Sequence, residues 1–308
     1  MEFTIAPPGE YEKPKKITKW SEGFQHTLNM LPTWKESEVT GNGNNIRNFY
    51  KLRDLGKWGD PPLTAIDSDL VKLTLTRVQA KTGNSASTVN RAISTIKKVL
   101  NCCAESGYIP YVPKISKFKV EKVRPTPHFR KEQVDRLVQL ARERGDDATA
   151  QAIETAAYSG MRQAELRRLK VWDIDFHKNV FLVGGTPESR TKGRNYREVP
   201  IHPRLLPILE YRASSARPMD SYIFDEFRNQ WHLYRKWDHV YEKLKWEDRS
   251  VTEAHCWKSL RNSYISWALA QGTPLMTVQR WAGHSSVTVT EGYYNHNTEH
   301  DQAEAARM

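Results

Sequence analysis

Arg162, Lys258, Arg261, His284 and the adjacent pair Tyr293 and Tyr294 are the residues of this chain whose types and order suit one chemistry. A phosphoryl group in transfer spreads negative charge over its equatorial oxygens, and fixed guanidiniums neutralise that charge through paired N–H donors. A tyrosine hydroxyl can act as the nucleophile, and its phosphate ester conserves the energy of the bond it replaces. Together these residues read as a device for attacking a phosphodiester with a side-chain hydroxyl. No His/Asp/Glu/Cys cluster has metal-ligand spacing, so neither a metal nor another cofactor is expected.

These residues need a scaffold, and the periodicity of the chain supplies one. Residues 1–16 read as a loose leader, and 17–108 as a helical domain. Its clearest element is a helix over Ser87–Ser106, with Val89, Ala92, Ile93, Ile96, Val99, Leu100 and Cys103 on one side at spacings of three and four. Ser85 and Ser87 offer N-cap oxygens, and Gly107 suits the stop. The opposite side, with Arg91, Ser94, Thr95 and Lys98, reads equally as a solvated face or as a DNA contact. Residues 109–128 hold Pro110, Pro113, Pro125 and Pro127 among Lys114, Lys117, Lys119, Lys122 and Arg124. Prolines at that density break regular structure, so this stretch reads as a basic connector that hugs a phosphate backbone rather than packing. Beyond it, residues 129–308 form the second domain and a polar C-terminal tail. Helices are expected over Lys131–Glu143, Ala148–Tyr158 and Met161–Leu169, and strands over Val180–Val183 and Glu198–Ile201. The strands are joined by a long basic arm with Arg190, Arg194 and Arg197, each open to a reading as a plain DNA contact. The fold class is mainly α with a small β-sheet in the second domain.

Composition narrows the partners. The 308 residues carry 47 Lys and Arg against 36 Asp and Glu, a net charge of +11, and a pI near 9.4. Such an excess suits a polyanion, because neutralising phosphates releases their counterions. No apolar run approaches the roughly 20 residues that span a bilayer, and the first residues show no apolar signal core, so no membrane partner is expected. Three cysteines, Cys102, Cys103 and Cys256, make neither a disulfide framework nor a zinc site, which suits a reducing cytoplasm.

The motifs resemble those of the tyrosine recombinase (phage integrase) family. Tyr158-Ser-Gly-Met-Arg-Gln-Ala-Glu-Leu166 resembles its first arginine motif, with Arg162 the catalytic arginine and Glu165 its supporting acid. Lys258-Ser-Leu-Arg261 is similar to the second arginine motif, Arg280-Trp-Ala-Gly-His-Ser-Ser286 to the Gly-His-Ser-Ser motif, and Thr290-Glu-Gly-Tyr-Tyr-Asn-His296 to the tyrosine motif. The arm Thr191-Lys-Gly-Arg-Asn-Tyr-Arg-Glu-Val-Pro-Ile201 resembles the lysine-bearing β-turn, with Lys192 in the lysine position. Ser87–Arg91 looks like the start of the last helix of the family's N-terminal core-binding domain.

The resemblance implies a helical core DNA-binding domain followed by an α+β catalytic domain. It implies site-specific recombination, as by the integrase of a phage or mobile element, on double-stranded attachment or recombination sites. It further implies a homotetramer on DNA, accessory DNA-bending proteins, and a nucleoid-associated place in a bacterial host. In the implied roles, Tyr293 forms a 3′-phosphotyrosyl bond, Arg162 and Arg261 bind the non-bridging oxygens, Lys192 protonates the departing 5′ oxygen, and Lys258 and His284 assist. The family usually has histidine where this chain has Lys258, which puts proton removal at that position in doubt; His255, three residues earlier, is the stand-in considered. The nine residues from His284 select Tyr293, whereas the Tyr-x-His pattern selects Tyr294, and adjacent helical residues point about 100° apart. Type IB topoisomerases use the same set of groups, and the hairpin and Gly-His-Ser-Ser spacing favour the recombinase. A non-catalytic DNA-binding relative is the third reading, and only Lys258 points to it.

Overall fold

The computed structural model describes residues 16–31, 45–120, 127–184, 196–215 and 221–284. The chain divides into two compact units, Met1–Val123 and Arg124–Met308. Among the described residues no helix is long and apolar enough to cross a membrane.

The first unit is built on α1 (Trp20–Met30), α2 (Asn45–Gly56), α3 (Ser68–Thr82) and α4 (Ala86–Glu105). The Ser85 hydroxyl accepts from the Thr88 N–H at 3.3 Å and starts α4 as the capping pattern requires. The face of α4 with Val89, Ile93, Ile96, Val99 and Leu100 is buried, as its spacing dictates. Trp20, Phe24, Phe49 and Trp58 pack as an aromatic cluster within the same core. Arg91, Ser94 and Lys98 are exposed. Thr95 departs from the expected polar face. It is buried, and its hydroxyl donates to Asn45 Oδ1 (3.1 Å) and accepts from Asn48 Nδ2 (3.0 Å), fastening α4 to α2.

The first part of the expected connector also differs from the sequence reading. Residues 109–120 form no helix or strand, as their prolines demand, yet they pack. Ile109 and Ile115 are buried in the first unit's core, and Asn90 holds the Phe118 backbone through both its amide groups, at 2.8 and 2.9 Å. With the partly buried Val112 and Phe118, these apolar side chains dock a strip otherwise rich in cations and prolines. Lys119 is exposed there, and Lys122 lies outside the described residues.

The second unit begins with α5 (Lys131–Glu143) and α6 (Asp147–Ser159), then the single turn α7 (Gln163–Leu166). The helix expected over Met161–Leu169 is cut short because the chain leaves to pair elsewhere: the Leu169 carbonyl accepts from the Ile223 N–H at 2.8 Å. An antiparallel sheet follows in the order β1 (Ile174–Asp175), β2 (Val180–Val183), β3 (Arg197–Pro200). Its register sets Phe181 against Val199 and Val183 against Arg197. Helices α8 (Leu206–Ser215), α9 (Gln230–Glu247), α10 (Trp257–Ala270) and α11 (Leu275–Ala282) complete the unit. Phe129, Leu137, Ile153, Phe181, Phe224 and Leu260 lie in its main core, which the sheet and most of the helices share, and Ile265, Leu269 and Val278 form a smaller cluster between α10 and α11.

Candidate active site

Three chain segments distant in sequence meet at one cleft of the second unit. The first is the turn after α6. Gly160 ends that helix at φ +63°, a left-handed conformation that glycine adopts without penalty. A Cβ there would sit 2.3 Å from the Tyr264 ring, so only glycine lets the turn approach α10 this closely. The turn delivers Arg162 to the start of α7, where its backbone N–H donates to Glu165 Oε2 at 2.8 Å and its Nη1 to Oε1 at 2.9 Å. The second segment is the first turn of α10, which carries Trp257, Lys258 and Arg261. The third is the end of α11, where Gly283, at φ +65°, turns the chain into His284.

Arg162, Lys258, Arg261 and His284 line a single cleft of about 450 Å³. Arg261 is buried; it donates through Nη1 to the Gly160 carbonyl at 2.7 Å and through Nη2 to the Ala282 carbonyl, tying the first segment to the third. Arg162 Nη2 donates to the Gly283 carbonyl at 2.7 Å, a second tie between them. The Arg162 side chain remains 42% exposed, so its fork has an open side toward solvent. Lys258 is exposed.

His284 is held well below its ordinary pKa, at about 4, first by burial and then by the charges of Arg261, Arg162 and Lys258. At neutral pH it is therefore an uncharged hydrogen-bonding group among cations. Glu165 is pushed upward by burial, but the guanidinium of Arg197 and that of Arg162 more than offset this and keep it an anion, below the usual range. A cleft lined by cations suits the negative charge that a phosphoryl group in transfer spreads over its oxygens.

A profile of the phage integrase family matches residues 127–300, more than half of the chain. The chain belongs to that family. Its relatives include the tyrosine recombinase of Thermosipho africanus, 27% identical over 213 residues, with 67% of this chain and 70% of the relative covered. The tyrosine recombinase XerA of Pyrococcus horikoshii is 25% identical over 274 residues, covering 85% and 87% of the two chains. Among solved structures, the Tn1549 transposon integrase in complex with a circular intermediate DNA superposes with a TM-score of 0.69 at 15% identity, over 93% of this chain and 98% of that one. A lambda integrase dimer bound to a COC′ core site gives 0.62 at 16%, over 92% and 81%. At those identities the likeness is one of fold: mainly helical, with a small sheet in the second unit.

Against this fold the sequence-expected residues separate into groups. Arg162, Lys258, Arg261 and His284 converge, and Glu165 supports Arg162. Lys192, Arg190, Arg194, Tyr293 and Tyr294 lie outside the described residues. His255 does not line the cleft. It is buried against the Phe129 ring, with centroids 4.8 Å apart, and its Nδ1 accepts from the Thr252 N–H at 3.1 Å, so it serves the core and not the position considered for it. Arg197, for which a plain DNA contact was one open reading, has a side chain only 5% exposed that pairs with Glu165 at 2.7 Å. Gln163, Tyr234 and Trp257 also line the cleft and were missed. No sequence signal marks Tyr234 on α9 as a neighbour of Lys258; Gln163 and Trp257 were findable as flanks of the two arginine motifs.

Proposed function

We propose that this chain is a site-specific DNA recombinase that cuts and rejoins duplex DNA through a 3′-phosphotyrosyl intermediate. The observation that carries the reading is the convergence of Arg162, Arg261, Lys258 and His284, from three segments, on one cleft. The Tyr293 oxygen attacks the scissile phosphorus, the bond to the 5′ oxygen breaks, and Lys192 gives the departing oxygen its proton. Arg162 and Arg261 neutralise the non-bridging oxygens, Lys258 adds a point charge, and neutral His284 donates a hydrogen bond. A 5′-hydroxyl from a partner strand then attacks the phosphotyrosine and releases the tyrosine, so bond energy is conserved and no nucleotide is consumed.

The second unit is the catalytic domain in this reading, and the first is a core DNA-binding domain whose exposed Arg91, Lys98 and Lys119 contact phosphates. The net charge of +11 supports duplex DNA as the partner. The family resemblance supports four protomers on two duplexes, accessory DNA-bending proteins, and a nucleoid-associated place in a bacterial host.

The test is cleavage of a duplex bearing a 5′-bridging sulfur at the scissile position, in excess chelator. Cleavage should proceed without added metal, since the resident cations supply the charge that a metal would. Lys192→Ala should fail on the ordinary phosphate and recover on the sulfur substrate, because a thiolate departs without a proton. Activity that collapses on chelation and returns with magnesium would contradict the reading. A Lys192→Ala enzyme still inactive on the sulfur substrate would make Lys192 a DNA contact and move the acid to Lys258.

A further inference from the structure

Arg197 opens β3, at the foot of a basic arm whose arginines are each open to a reading as a DNA contact. Its side chain is instead buried, and it makes three directed bonds. Nη2 donates to Glu165 Oε2 at 2.7 Å, Nη1 donates to Oε1 at 3.2 Å, and Nε donates to the Trp281 carbonyl at 2.8 Å. The same carboxylate receives Arg162, through Nη1 on Oε1 and the backbone N–H on Oε2. Arg162 in turn reaches the Gly283 carbonyl, and a Cβ on Gly283 would lie 3.0 Å from Arg197 Nη1. The groups therefore close a ring: Arg162, Glu165, Arg197 and the Trp281–Gly283 turn that presents His284.

Charge within the ring is uneven. One carboxylate stands between two guanidiniums, so the pair of arginines keeps a net positive charge. Without Arg197, Glu165 would belong to Arg162 alone and would cancel it. We infer that Arg197 is a positioning residue for strand cleavage: by sharing Glu165 it leaves the charge of Arg162 available to the scissile phosphate, and through the Trp281 carbonyl it steadies the turn whose Gly283 carbonyl holds Arg162. This deepens the proposed function and rests on it. The competing account is a buried ion pair that only holds the fold together.

A substrate in which methyl replaces one non-bridging oxygen of the scissile phosphate separates the two accounts, because it has one charge fewer to neutralise. Covalent-complex formation is measured for the wild type, Arg162→Ala, Arg197→Met and the double variant, on ordinary and methylphosphonate duplexes, with thermal melting and duplex binding recorded for each. Arg197→Met should bind duplex normally and lose cleavage of the ordinary phosphate on the order of 10- to 100-fold, the scale of a displaced catalytic group. That loss should shrink on the methylphosphonate, as the loss of Arg162→Ala does, and the double variant should be no slower than Arg162→Ala alone. Arg197→Lys, which restores the charge but not the three-way fork, should recover part of the rate. If Arg197→Met does not fold, Arg197→Gln, which removes the charge and keeps a hydrogen-bond donor, carries the same comparison. An equal loss on both substrates, or a loss that multiplies that of Arg162→Ala, would overturn the inference. A wild-type protein that forms no covalent complex on either duplex would sink the recombinase reading itself, and this inference with it.

Discussion

His284 shows how far an environment can move a single side chain. Burial, then Arg261, Arg162 and Lys258, lower its pKa from an ordinary 6.5 to about 4. As pH falls through 6.5 the unfolded chain takes up a proton that the folded protein refuses, so stability is lost between about 6.5 and about 4 and levels off below. His284→Gln removes that titration. The variant should therefore lose less melting temperature than the wild type between pH 7 and pH 5, as read by thermal denaturation. His202 and His255, also held below their ordinary range by burial, remain in both proteins, so the difference reports His284. An identical drop in both would mean that His284 is not desolvated among cations. At this scale legibility followed locality. Arg162, Lys258, Arg261 and His284 sit in short motifs whose neighbours are adjacent in the chain. The sequence left Arg197 open because its partner, Glu165, is 32 residues away, and no local pattern announces that pair. His255 lies one turn from Lys258, but the Phe129 ring that claims it comes from the far end of the domain.

Elements place these residues, and their ends matter more than their middles. The Gly160 turn combines a left-handed backbone, contact with Tyr264, and a carbonyl that receives Arg261. Gly160→Ala adds a methyl where the ring lies 2.3 Å away, in a conformation alanine resists. The variant should lose about 3 kcal/mol in urea denaturation, the upper range for overpacking with backbone strain. Its remaining folded fraction should cleave poorly, because Arg261 loses its fixed acceptor. A loss below about 1 kcal/mol, typical of a tolerant surface site, would show that Tyr264 gives way freely. Long periodic elements were legible: the helix expected over Ser87–Ser106 is Ala86–Glu105. β1, at two residues, is too short to show alternation, and α7 ends early because Leu169 pairs with Ile223, a contact no local pattern announces. The strip 109–120 looked like a solvated connector because of its cations and prolines, yet Ile109 and Ile115, with the partly buried Val112 and Phe118, dock it on the core.

For the whole molecule, two units, an excess of positive charge and membership of the phage integrase family point to one activity on duplex DNA. The cleft gathers the groups that would stabilise a phosphoryl transition state, and the proposed function needs a tyrosine to attack there. The nine-residue spacing from His284 makes Tyr293 the proposed nucleophile. A nicked suicide duplex, whose short 5′ fragment is lost after cleavage, traps the covalent complex, and digestion with peptide mapping locates the attached nucleotide. The wild type and Tyr294→Phe should both trap it on the peptide bearing Tyr293, and Tyr293→Phe should bind the duplex but trap none. Attachment that survives in Tyr293→Phe and disappears in Tyr294→Phe would contradict the assignment of the nucleophile, and the absence of any covalent complex in the wild type would contradict the account as a whole.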